Sequence, residues 1–104
     1  MSNKLVFLAL FGAALAGAKT YDITLPESSV VENVPLRQGD YSLKVNGTKV
    51  TFTDENGKSV EATAKIEQAA KKFGDTEVQT KKVAGQDQIM EIRLQGTRTK
   101  LDFN

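Results

Sequence analysis

The chain has 104 residues, 14 Lys and Arg against 13 Asp and Glu, and neither His nor Cys. That length fits one small domain. The charge balance leaves no electrostatic case for nucleic acid or an anionic membrane, and the missing residue types remove disulfides, the usual zinc ligands and most nucleophile–base pairs.

The first 18 residues differ from the rest. Lys4 precedes an apolar run from Leu5 to Ala16, and Ala16-Gly17-Ala18 has the small-x-small pattern of a cleavage site. The pattern predicts a secretory signal peptide over 1–18, followed by a single antiparallel β domain over 19–104. The run is short for a membrane span, which needs about 20 apolar residues. An uncleaved N-terminal anchor is the alternative. No Cys follows the run, so no lipoprotein attachment site is expected. The expected location is exported, periplasmic or extracellular, with no stable membrane span after signal cleavage. Without Lys4 the chain balances its charges, and without disulfides the domain must rest on its apolar core, oligomerisation being the other available support.

Tyr21, Ile23 and Leu25 alternate with Thr20, Asp22 and Thr24, which predicts a strand ended by Pro26. Val30 to Leu36 is a short apolar run with Pro35, suited to a sheet edge. Arg37-Gln38-Gly39 reads as a turn. Then come two alternating runs around Asn46-Gly47, a strong hairpin signal. A two-residue loop there sets Val45 opposite Thr48, Leu43 opposite Val50 and Tyr41 opposite Phe52. A slip by one residue would expose the whole apolar set.

Asp54-Glu-Asn-Gly-Lys58 predicts a three-residue loop with Gly57 left-handed, which places Phe52 opposite Val60 and Val50 opposite Ala62. Val60, Ala62, Ala64 and Ile66 then point inward. Ile66, Ala69, Ala70 and Phe73 have helical spacing with Gly74 as a C-terminal cap, but the segment is short for a helix, and the expectation is a strand ending near Ile66 followed by a turn or short helix that tucks Phe73 inward. Thr76, Val78 and Thr80 face Met90, Ile92 and Leu94 across a loop centred on Gly85, pairing Val78 with Ile92 and Thr80 with Met90. Gly96-Thr97 reads as a Gly-first type II′ turn that pairs Leu94 with Thr99, Ile92 with Leu101 and Met90 with Phe103. The expected fold is all-β: a small antiparallel sandwich or barrel of seven to eight strands.

No residue is predicted to be catalytic, cofactor-binding or metal-ligating. Ser42 with Lys44 and Ser59 with Lys58 are the formal Ser-Lys pairs, but Ser42 and Lys44 share a solvent face where nothing desolvates the amine. Asp54-Glu55 and Asp87 are the loop carboxylates open to glycoside hydrolysis, and they read better as turn residues. Asp54-Glu-Asn-Gly lacks the spacing and distal Glu of a calcium loop. Asn46-Gly47-Thr48 matches a glycosylation acceptor, while the hairpin needs the same residues for its geometry. Lys71-Lys72 and Lys81-Lys82 read as solvated faces.

Leu36-Arg-Gln-Gly-Asp-Tyr-Ser-Leu43 resembles the hairpin entry of prealbumin-like sandwich modules, including Cna-B-type domains, over about eight residues. A broader likeness runs from Tyr21-Asp-Ile-Thr-Leu25 to Ile92-Arg-Leu-Gln-Gly-Thr-Arg-Thr-Lys-Leu101. Over that length the chain resembles small exported bacterial all-β proteins that have no assigned activity. The resemblance implies export and an all-β fold and supplies no site residues. The expected function is therefore that of a non-catalytic structural or interaction module of the envelope or periplasm. An envelope protein or polysaccharide is the expected partner class, without nucleic acid and without cofactor, and the Val30–Leu36 edge is the candidate surface. The alternative is a small secreted enzyme inhibitor or polymer-active enzyme, with Gln86-Asp87 or Glu27-Ser28-Ser29 as inhibitory loops.

Overall fold

The computed structural model describes residues 19–103. The segment expected to be a signal peptide lies outside them. Among the described residues the secondary structure is all-β, and no helix is long and apolar enough to cross a membrane.

The described residues form ten strands, rather than seven to eight: β1 (Lys19–Leu25), β2 (Ser29–Val31), β3 (Val34–Leu36), β4 (Gly39–Asn46), β5 (Lys49–Asp54), β6 (Ser59–Thr63), β7 (Lys65–Gln68), β8 (Glu77–Val83), β9 (Gln86–Arg93) and β10 (Thr99–Asp102). They build two sheets. The first has the order β1-β4-β5-β6, all antiparallel. The second runs β3-β2-β9-β10-β7, with β8 on the other side of β9. One pairing is parallel, β2 with β9, where Ser29 lies beside Asp87 and Val30 beside Gln88.

Alternation explains the shared core. Ile23, Leu25, Tyr41, Leu43, Val50, Phe52 and Ala62 come from the first sheet, and Val31, Leu36, Ile89, Ile92 and Leu101 from the second. The Phe52 and Phe103 rings meet across the layers, 6.2 Å between centroids and tilted by 47°, a tilted geometry favoured by aromatic quadrupoles.

Four expectations need correction. In the central hairpin Val45 pairs with Val50, Leu43 with Phe52 and Tyr41 with Asp54. The loop is therefore Gly47-Thr48, two positions further along the pairing than expected. Gly47 (φ 64) is left-handed and Thr48 is not, which suits a Gly-first turn. Because the shift is even, every side chain keeps its predicted face.

Val30–Leu36 is a complete hairpin rather than one run. Glu32 (φ 48) and Asn33 (φ 68) both turn left-handed, as a type I′ loop demands. Pro35 does sit in the outermost strand, β3.

Residues 66–74 form neither a helix nor the end of β6. The chain leaves the first sheet at Ala64, whose N–H donates to the Thr48 carbonyl at 2.9 Å, and enters β7 in the second. Ile66 lies opposite Leu101 and so faces the core side, but β7 is an outer strand and leaves Ile66 40% exposed. Phe73 bridges to Gln95 and is half-buried.

The fourth correction concerns β9. Val78 pairs with Ile92 as expected, but Thr80 pairs with Ile89, and Met90 is the extra residue of a bulge. The bulge breaks the period of two, so Ile89 (1% exposed) enters the core while Met90 stays half-buried. Met90 still lies opposite Phe103 on the β10 side, where its carbonyl accepts from the Phe103 N–H at 2.9 Å.

Of the remaining turns, the one between β5 and β6 is as expected, and the last is type II rather than the Gly-first type II′ turn expected. Gly57 is left-handed (φ 84), and Phe52 faces Val60 and Val50 faces Ala62. The last hairpin keeps its predicted register, although the Thr97 N–H donates to the Leu94 carbonyl. That bond puts Gly96 at the third turn position, where a type II turn needs a positive φ.

Candidate functional site

A cleft of about 470 Å³ opens at one end of the molecule. Its walls are the chain after β1 (Glu27, Ser28, Ser29), the β3–β4 connection (Leu36, Arg37), the β5–β6 turn (Asp54, Lys58) and the β8–β9 tip (Lys82, Gln86, Asp87), with Tyr41 among the lining residues. Local rules shape each wall. Asp54 Oδ1 accepts the backbone N–H groups of Asn56 and Lys58, both at 2.9 Å, which fixes the turn carrying Lys58. Ser29, 4% exposed, donates through Oγ to the Glu27 carbonyl at 3.1 Å and rigidifies the opposite wall. Ala84 (φ 53) and Gly85 (φ 82) form the two-residue turn that brings Lys82 beside Asp87.

The charges divide into two sets. Lys82 Nζ lies 3.1 Å from Asp87 Oδ1 and 3.7 Å from Glu27 Oε1. Its hydrogen bond to Asp87, reinforced by the charges of Asp87 and Glu27, raises the ammonium above its usual 10.5. Tyr41 is 7% exposed and donates to the Arg37 carbonyl at 2.7 Å. Burial, then the neighbouring Asp54 charge, raises its phenol above the usual 10.0, outweighing the lowering effect of the Arg37 backbone and charge. Arg37 and Lys58 are exposed and form no ion pair among the described residues. The cleft therefore holds one neutralised cation and two free ones.

Of the residues weighed for chemistry, Asp54, Lys58 and Asp87 line the cleft, whereas Ser42, Lys44, Glu55 and Ser59 lie outside it. Ser59 Oγ shares a hydrogen bond with Thr53 Oγ1 at 2.9 Å, and Asp54 is occupied in capping its turn. Gln86 and Asp87 belong to β9 and form a cleft wall, not a protruding loop. No group of His, Cys, Asp or Glu among the described residues is arranged to hold a metal ion. The Val30–Leu36 edge contributes only the three residues of β3, with Pro35 at its middle. Away from the cleft, Arg93 donates through Nε to Glu91 Oε2 at 2.7 Å and its guanidinium carbon stands 5.8 Å from the Phe73 ring centroid. The sequence reading missed the cleft because its walls come from four separated connections, none carrying a motif. The one available signal was the placement of Arg37 and Lys58 in connections and of Lys82 near the end of β8.

No protein family, curated protein or solved structure matches the chain.

Proposed function

We propose that this protein is an exported, non-catalytic interaction module whose cleft holds an anionic group of an envelope protein or polysaccharide. The observation that carries this reading is the pair of unpaired cations, Arg37 and Lys58, lining a cleft whose third cation is neutralised. An acidic sugar or a carboxylate side chain suits such a pair, since charge-assisted hydrogen bonds are the stronger kind. Export rests on the signal-peptide pattern of residues 1–18. Two sheets sharing one core support a small sandwich as the architecture. The inhibitor reading has no comparable support, because Asp87 is tied to Lys82 and faces the cleft.

Polygalacturonate, titrated against the purified protein at low salt, serves as the probe. Binding that weakens at least about tenfold in Arg37→Glu/Lys58→Glu and fades as salt rises supports the reading. Equal binding by the variant, or none by the wild type to this polymer or to an envelope extract, rejects it.

A further inference from the structure

Strand β8 has an open edge. Among the described residues its seven residues pair only with β9, and of its side chains only Val78 packs against the core. A groove of about 380 Å³ separates it from β1 and is lined by Ile23, Val78 and Thr80, among others. An unpaired row of N–H and C=O groups is a template for another strand. The identity of that strand follows from the charges on β8 itself.

We propose that β8 pairs antiparallel with β8 of a second copy, about a two-fold axis through Gln79. Directly opposite residues turn their N–H and C=O either both toward the seam or both away from it, and residues along a strand alternate in this. A symmetric seam is therefore centred on a residue, never between two. Centring on Lys81 sets like charges face to face, and centring on Thr80 leaves Glu77 opposite Val83. Centring on Gln79 places Glu77 opposite Lys81 of the second copy, twice, and Val78 opposite Thr80 over the groove. Lys81 has no ion pair among the described residues, and Glu77 Oε1 has only long contacts, to Arg93 at 3.7 Å and from Gln79 Nε2 at 3.3 Å. Lysine on an edge normally blocks pairing; here it selects one register and excludes its neighbours. The other outer strand with alternating charges, β7, has four residues and its Glu67 lies 3.6 Å from Lys100. The proposal is independent of the cleft, since neither Glu77 nor Lys81 lines it.

The absence of Cys makes the test clean, because one introduced thiol is the only one in the chain. Opposed residues have Cα atoms about 4.5–5.5 Å apart, within disulfide range. Gln79→Cys is expected to form a covalent dimer under mild oxidation, while Val83→Cys and Ile66→Cys do not. By sedimentation at about 10 µM to 1 mM, a range suited to a small interface, the wild type is expected to self-associate. Glu77→Lys and Lys81→Glu should each weaken association about tenfold or more, and Glu77→Lys/Lys81→Glu should restore it. A monomer at all concentrations, equal cross-linking at Val83 or Ile66, or no rescue by the double reversal overturns the proposal.

Discussion

The bulge in β9 makes neighbouring residues trade places, and substitution at Ile89 and Met90 measures that directly. Ile89 is 1% exposed and belongs to the shared core, while Met90 is the half-buried extra residue. Ile89→Ala removes three carbons, which at about 0.8 kcal/mol per buried methylene amounts to about 2.4 kcal/mol. If about 50 Å³ of the vacated space stays open, the cavity adds about 1.2 kcal/mol. The expected loss is near 3.5 kcal/mol, inside the usual range of about 2–5 for such a change. Met90→Ala, made at a half-buried site, should cost about 1 kcal/mol or less. Urea unfolding followed by circular dichroism reads both: with a slope of about 1–2 kcal/mol per M, Ile89→Ala should lower the midpoint by about 1.8–3.5 M. Should that variant fail to fold, Ile89→Val at about 0.5–1.5 kcal/mol keeps the comparison possible. Uninterrupted alternation would make Met90 the core residue. A larger loss at Met90 than at Ile89 would therefore refute the bulge.

Three further outcomes are expected. Ala84 holds a left-handed φ of 53 beside Gly85, a conformation costly for an alanine, so Ala84→Asn should raise stability by about 0.5–1 kcal/mol in the same unfolding assay. Asp54→Ala deprives two backbone N–H groups of their acceptor and should cost about 1–2 kcal/mol, with faster amide exchange at Asn56 and Lys58. Tyr41 should ionise above pH 10.0, since burial and Asp54 raise its phenol. Its folded value exceeds its unfolded one, so the stability it contributes is complete below about pH 10 and is lost as pH rises through the folded value. Tyrosinate absorbance of Tyr21→Phe, which leaves Tyr41 as the only tyrosine of the chain, measures this; ionisation at or below pH 10 contradicts it.

Short-range chemistry alone determined much of this protein. Alternation placed Ile23, Leu25, Tyr41, Leu43, Val50 and Phe52 in the core, because a strand's side-chain period of two survives any even shift of pairing. Asp54 and Gly57 specified their turn, since carboxylate capping and a left-handed glycine are local requirements. Tertiary structure decided what local rules leave open. Whether the loop sits at Asn46-Gly47 or Gly47-Thr48 depends on which apolar pairs meet across β4 and β5. Glu32 accepts a left-handed turn where its Oε1 receives the Thr63 N–H at 3.0 Å, 31 residues away. The switch of sheet at Ala64 follows from β7 finding β10, a partner distant in sequence. The exchange of Met90 for Ile89 depends on β9 serving β8, β10 and β2 at once. The cleft likewise exists only where four separate connections converge. Partners distant along the chain carry no periodicity or motif, and so only the folded chain brings Arg37 and Lys58 to one site.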